Sequence, residues 1–268
     1  MSTRPKILIA EPDRFSTQAI ADLETFSDVV VCETAQSDVR QALCDYNAIW
    51  IRLGLQIRES DLQDGLRCRH ILSATTGEDH VDLDACRSHG IKLVSLKSHR
   101  DFLETITSTA DLGFGLLLSL VRQLPAATES VKSGVWDRDQ FRGRELRGMV
   151  LGLVGCGRLG RRMACYARAF DMIVHAYDPY VAEFPEGVCA ESDLSVLLAQ
   201  SDVVSLHVPL NEETERMAGH DFFGAMKSGA TFLNTSRGAI VDNDELWRHF
   251  LPGGCRGRGS MWLMESLR

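Results

Sequence analysis

Residues 149–170 read MVLGLVGCGRLGRRMACYARAF, which puts Gly155, Gly157 and Gly160 in a G-x-G-x-x-G spacing. The first glycine of such a loop allows a tight turn. The second lets backbone approach a pyrophosphate, and the third lets a helix pack closely on a strand. An apolar run precedes the loop and an amphipathic segment follows it. The phosphates therefore belong at a helix N-terminus, with the peptide groups of Arg158 and Leu159 as donors. The next apolar run ends at Asp178, 178 − 160 = 18 residues beyond the last glycine. A carboxylate there accepts hydrogen bonds from an adenosine ribose and repels a 2′-phosphate, which favours NAD over NADP. The plainer alternative for Asp178 is a turn cap before Pro179. A methyl-donor site is the structural competitor for the loop as a whole.

These residues need a scaffold that presents strand ends and helix starts together, and the chain alternates accordingly. KILIA (6–10), DVVVC (28–32), AIWIRL (48–53), HILSA (70–74) and IKLVSL (91–96) read as strands. STQAIADLETF (16–26), SDVRQALC (37–44) and HVDLDACRSHG (80–90) read as helices between them. Alternation at this spacing implies a parallel sheet covered on both faces. Residues 101–134 break the rhythm with a long helical pattern in which Pro125 marks a kink or stop. Beyond it the alternation resumes, with strands at IVHAYD (173–178), VVSLHV (203–208) and ATFLNTS (230–236). The expected fold is α/β: two Rossmann-like, doubly wound parallel-sheet lobes with a cleft between them. Residues 1–105 form one lobe, an incomplete substrate domain. Residues 106–268 form the other, a truncated NAD-binding domain.

Composition narrows the function class. The balance of 44% hydrophobic and 25% charged residues is that of a soluble globular protein. A net charge of 29 − 37 = −8 argues against broad attraction to nucleic acid. The start, MSTRPKILIAEPD, has no signal-peptide architecture, and the longest apolar stretch, LGFGLLLSLV, is about half of what a membrane span requires. Eight cysteines carry no CxxC pair, and Cys32, Cys156 and Cys165 sit in apolar surroundings. Buried reduced thiols, no metal site and a cytoplasmic location are the expectations.

Several segments together carry a resemblance. GLVGCGRLGRRMA, AYDP, DVVSLHVPLNEETERM and MKSGATFLNTSRGAIVDNDEL, in this order and spacing, resemble the D-isomer-specific 2-hydroxyacid dehydrogenases. ILSATTGEDHVDL resembles that family's substrate loop. The resemblance implies hydride transfer between NAD(H) and a small 2-hydroxy or 2-keto acid. It implies that Arg237, following a strand, holds the acid's carboxylate and carbonyl oxygens, an arrangement suited to a planar guanidinium. Backbone N–H groups at Thr76 and Gly77 are implied to receive the same carboxylate. The HVP turn with His207 and Pro209 becomes a wall of the cofactor site, although His207 is also a tempting proton donor. Thr109 and Thr214 are similar to positions near the cofactor, and Thr235 is implied to offer its carbonyl to the nicotinamide amide. The helical run at 101–123 is similar to an element through which family members pair, so a homodimer is expected. Two rival classes remain: an NAD-binding regulatory or scaffold protein without turnover, and a methyl-donor-dependent transferase.

The family's G-x-G-L-D-V strand and its P-H segment, which bring a carboxylate and a histidine for proton delivery, are not found here. After Gly254 come alternating Arg and Gly, then Met-Trp-Leu-Met. A one-base shift in reading frame, with permitted codons, turns RGRGSMWLMESLR into GAGLDVVDGESP, which resembles the missing strand. The expectation is a chain cut short by a frameshift and catalytically impaired. Its second sheet loses the strand after Gly254, exposing an edge and the apolar face of GAIVDNDELWRHFL. In the alternative, a natural short form, Met261, Trp262 and Leu263 cover that edge.

Overall fold

The computed structural model describes residues 4–137 and 139–250, and the backbone of residues 260–263. The chain divides into two compact units between Thr105 and Ile106.

The first unit alternates short strands and helices: β1 (Lys6–Ile9), α1 (Thr17–Glu24), β2 (Asp28–Val31), α2 (Val39–Asp45), β3 (Ala48–Ile51), β4 (His70–Ser73), α3 (Leu83–Ser88), β5 (Lys92–Ser95) and α4 (Arg100–Glu104). All five strands are parallel, in the order β2-β1-β3-β4-β5. Local signals set the helix starts: Ser16 Oγ accepts from Ala19 N at 3.3 Å, and Asp82 Oδ1 accepts from Ala85 N at 2.9 Å. One core holds the unit, with Leu43, Ile49, Ile51, Ile57 and Ile71 all almost fully buried.

The second unit opens with α5 (Ser108–Val121) and α6 (Leu124–Lys132). It continues through β6 (Val150–Val154), α7 (Arg158–Ala169), β7 (Ile173–Tyr177), β8 (Val188–Ala190), α8 (Leu194–Gln200), β9 (Val203–Leu206), α9 (His220–Ala225), β10 (Thr231–Asn234), α10 (Asn243–Phe250) and β11 (Ser260–Leu263). The sheet order is β8-β7-β6-β9-β10-β11, the dinucleotide-binding order in which the connection reverses beside the first strand. Both faces are covered. Leu117, Leu151, Leu153, Met163 and Leu233 form one core. Leu197, Val204, Leu206, Phe222, Phe232 and Leu246 form the other.

Three expectations are corrected. The helical run at 101–134 is three helices. Gln123 adopts a left-handed φ of 56°, and Pro125 lies in the first turn of α6, where its missing N–H leaves no bond unmade. Of the two expected roles, kink or stop, the break between Val121 and Leu124 fits the stop, and the proline itself sits in the first turn of the next helix. The sheet keeps a strand after Gly254: β11 pairs in parallel with β10, Thr231 facing Ser260 and Asn234 facing Leu263. A strand in a parallel sheet needs no side-chain alternation, so SMWL carries no period to betray it. The short edge strand β8 was also illegible. Finally, Cys32 and Cys165 are exposed, one at an edge-strand end and one on the outer side of α7, whereas Cys156 is buried. All seven described cysteines are free. Burial pushes the Cys68 and Cys86 thiols up to about 11.

Candidate functional site

Four neighbouring strands of the second unit, β10, β9, β6 and β7, run parallel. Their carboxyl ends lead directly into most of the residues singled out from sequence: Gly155 and Gly157 after β6, Asp178 after β7, His207 and Pro209 after β9, Thr235 and Arg237 after β10. The connection reverses between β6 and β9, where open α/β sheets bind ligands.

The three glycines are required for three different reasons. Gly155 has φ +94°, and a Cβ on it would lie 2.7 Å from the His207 carbonyl oxygen. A Cβ on Gly160 would lie 2.3 Å from the Gly155 carbonyl oxygen, so α7 rests directly on the loop. A Cβ on Gly157, which is exposed, would meet nothing within 4 Å among the described residues, which leaves open space above its backbone. Gly157 precedes the first turn of α7, and among the described residues no side chain caps that twelve-residue helix. The Arg158 guanidinium turns aside to the Ile106 carbonyl, 2.8 Å from Nη1, and Leu159 packs against the core. What is presented at this end is main chain and helix dipole, the combination that holds phosphate.

Asp178 is built into the same loop. Its Oδ2 accepts from Cys156 N at 2.8 Å and its Oδ1 from Tyr180 N at 3.0 Å. Each oxygen keeps a second lone pair with which to accept a ribose hydroxyl.

His207 is held by Ser205, Oγ to Nε2 at 2.9 Å, and burial lowers its pKa to about 4. That direction favours the neutral imidazole, which keeps one ring N–H. Pro209 gives its carbonyl to Thr214 Oγ1 at 2.6 Å, and Asn211 Oδ1 accepts from Thr214 N at 3.0 Å. The Thr214 hydroxyl thus serves its own loop. Thr109 is half-buried in the first turn of α5. Thr235 is buried, and its Oγ1 has no hydrogen-bond partner among the described residues.

Arg237 is half-buried at the start of a short 3-10 turn, Gly238–Ile240. A clamp that sequence reasoning missed fixes this turn. Asn234 Nδ2 donates to the Arg237 carbonyl at 2.9 Å, and Asn234 Oδ1 accepts from Ser236 N at 2.9 Å. Ser236 Oγ donates to the Leu206 carbonyl at 2.9 Å, tying the turn to the end of β9. The only hint in the sequence was the NTSRG string itself.

In the first unit, Thr76 and Gly77 follow β4. Leu96 N donates to the Thr75 carbonyl at 3.2 Å. The Glu78 carboxylate accepts from Ser95 Oγ at 2.6 Å and Lys97 Nζ at 2.8 Å. Burial alone would raise the Glu78 pKa; the bonds from Lys97 and Ser95 outweigh it and hold the carboxyl below its usual range. Among the described residues, the N–H groups of Thr76 and Gly77 make no hydrogen bond. At the ends of β1 to β3 lies a cavity of about 730 Å³, in which Arg14 and Arg52 stand with Glu11; sequence reasoning assigned nothing there.

Comparison with known proteins gives the relationship. Residues 114–258 match the D-isomer specific 2-hydroxyacid dehydrogenase, NAD binding domain, and residues 7–132 match the catalytic domain of the same family. The chain is 31% identical over 255 residues to D-3-phosphoglycerate dehydrogenase of Methanocaldococcus jannaschii, covering 94% of this chain and 47% of that protein. It is 30% identical to hydroxypyruvate reductase of Thermotoga maritima, covering 93% of this chain and 80% of that one. The chain thus spans about half the length of the phosphoglycerate dehydrogenases it matches. Among solved structures, D-lactate dehydrogenase from Aquifex aeolicus, complexed with NAD and lactic acid, superposes with a TM-score of 0.82 at 31% identity, over 95% of this chain and 76% of that one.

Proposed function

The chain belongs to the D-isomer specific 2-hydroxyacid dehydrogenase family, and we propose that it binds NAD(H) on its second unit for hydride exchange with a small 2-hydroxy or 2-keto acid. The observation that carries this reading is the Gly157 position: open space, exposed main chain and an uncapped helix start, beside the anchored carboxylate of Asp178. These residues fit a dinucleotide. Main chain at Gly157–Gly160 takes the pyrophosphate, Asp178 takes the adenosine ribose and disfavours a 2′-phosphate, and the His207–Pro209 turn forms a wall. Thr109, Thr214 and Thr235 line the same ligand, and the unsatisfied Thr235 hydroxyl supports a polar partner there. The cofactor supplies the hydride. Arg237 pairs with the acid's carboxylate and carbonyl oxygens, fixing the carbon that accepts it. The open N–H pair of Thr76 and Gly77 is a receptor for the same class of carboxylate.

Reduction of a keto acid also needs a proton. His207 is the one imidazole among the four loops after β10, β9, β6 and β7, and its pKa of about 4 disfavours the imidazolium that a general acid needs. General acid help is worth roughly 10²–10⁴ in rate, so turnover by these residues alone is slow. This favours one second reading, a dinucleotide-binding regulatory protein. Leu112, Leu124, Val131, Val135 and Trp136 are exposed around α5 and α6, Trp136 at 84%, which supports a homodimer through that face. Free cysteines throughout the described residues support a cytoplasmic location.

Calorimetry and stopped-flow absorbance test the proposal. NADH should bind more tightly than NADPH, and S-adenosylmethionine should not bind. Arg237→Ala should lose the response to glyoxylate or pyruvate while keeping NADH. Binding of S-adenosylmethionine in place of NADH would overturn the reading. NADH binding with no oxidation by any keto acid would favour the regulatory protein.

A further inference from the structure

We infer that His80 is a positioning residue: through Ser73 and Thr75 it fixes the loop whose Thr76 and Gly77 N–H groups receive a carboxylate. The inference rests on the reading of that loop under Proposed function. It comes from the direction in which three hydrogen bonds must run. Thr75 Oγ1 lies 2.8 Å from the Gly77 carbonyl oxygen, which can only accept, so the single threonine hydroxyl proton is committed there. Ser73 Oγ, 2.8 Å from Thr75 Oγ1, must then donate to it. With the serine proton also committed, the contact of 3.3 Å between Ser73 Oγ and His80 Nε2 requires the histidine to donate. One proton arrangement satisfies the chain, and it places a proton on His80 Nε2.

The ends of this relay are fixed to the core. Ser73 is the last residue of β4 and is 5% exposed, and His80 is 7% exposed. Ile57 N donates to the His80 carbonyl at 2.9 Å, and Ile57 bridges Val81. Glu78, held by Ser95 and Lys97, anchors the far side of the loop. With the Gly77 carbonyl oriented by Thr75, the peptide planes around Thr76 and Gly77 have little freedom. Their two unpartnered N–H groups form a receptor that requires no reorganisation to take an anion. Remove the donor at His80 and Ser73 can turn its proton elsewhere, releasing Thr75 and then Gly77.

Sodium oxalate, a two-carboxylate stand-in for a keto acid, serves as probe, with amide chemical shifts of the ¹⁵N-labelled full chain as readout. In the wild type, the Thr76 and Gly77 amides should move and saturate. His80→Leu should weaken oxalate about tenfold, the effect of misaligning one charge-assisted hydrogen bond. His80→Gln, whose amide N–H reaches the same point, should recover to within about threefold. Thr75→Val, at a half-exposed position, should match His80→Leu and decides the matter if the latter does not fold. Combining Ser73→Ala with Thr75→Val should be no worse than either alone, as befits one relay. NADH affinity should be unchanged throughout, which separates positioning from general damage. Wild-type oxalate affinity in His80→Leu or Thr75→Val overturns the inference, as does failure of glutamine to recover binding at an unchanged Tm. Absence of any Thr76 and Gly77 shift in the wild type overturns the reading of the loop beneath it.

Discussion

Alanine substitution at Gly157 and Gly160 should give opposite phenotypes, although the two are three residues apart in one motif. At Gly160 the added methyl would sit 2.3 Å from the Gly155 carbonyl oxygen, where real contacts stay beyond 3.0 Å. The obstacle is backbone, so α7 must move. That helix carries Met163, Ala164 and Ala167, all at most 1% exposed in the core against β6, and they cannot shift without opening gaps. Overpacking of this kind costs about 1–3 kcal/mol, a fall in Tm on the order of 5 °C for a chain of this size. At Gly157 the methyl meets nothing within 4 Å among the described residues, and the backbone is extended, with φ −73° and ψ −157°. Stability should be unchanged or raised by about 0.4–1 kcal/mol through the stiffer unfolded chain. The methyl does occupy the approach of a pyrophosphate, and losing one or two charge-assisted bonds of about 1.5–3 kcal/mol each should weaken NADH at least tenfold. Differential scanning fluorimetry and NADH fluorescence titration on the same samples separate the two. Wild-type NADH affinity in Gly157→Ala, or a wild-type Tm in Gly160→Ala, would refute the reasoning.

Three further outcomes follow from the same residues. The folded pKa of His207, about 4, lies below the unfolded value of 6.5, so the unfolded state takes up the proton first. Stability should fall as pH drops from 6.5 towards 4, by up to about 3 kcal/mol from this group, and be unaffected by it above 7; an NMR titration of the ring showing a midpoint near 6.5 would rule this out. Thr235→Val removes a buried hydroxyl without a partner among the described residues and should raise the Tm of the ligand-free chain while weakening NADH; a lower ligand-free Tm would mean the hydroxyl is satisfied. Trp136→Asp should convert a dimer to a monomer in light scattering at tens of micromolar, because it charges the most exposed large hydrophobic residue of the apolar face; an unchanged mass would place the interface elsewhere.

The sequence by itself determined the features that depend on local backbone. The glycine loop, the acid 18 residues on and the strand ends were legible because period-2 and apolar-run patterns, glycine spacing and turn residues are local signals. So was the doubly wound α/β class, which follows from strand–helix alternation. Tertiary structure decided what depends on neighbours distant in the chain. β11 exists because β10 offers an unpaired row of N–H and C=O groups, a demand that no pattern within SMWL records. Pro125 begins a helix because Gln123 turns left-handed ahead of it. Burial at the strand end disfavours the charged form of His207, a shift that its residue type does not show. The Asn234 clamp and the relay from His80 to Gly77 need side chains to meet across loops. Hydrogen-bond direction is a property of the assembled set of donors and acceptors, so it becomes readable only once the fold has brought them within 3 Å or so of each other.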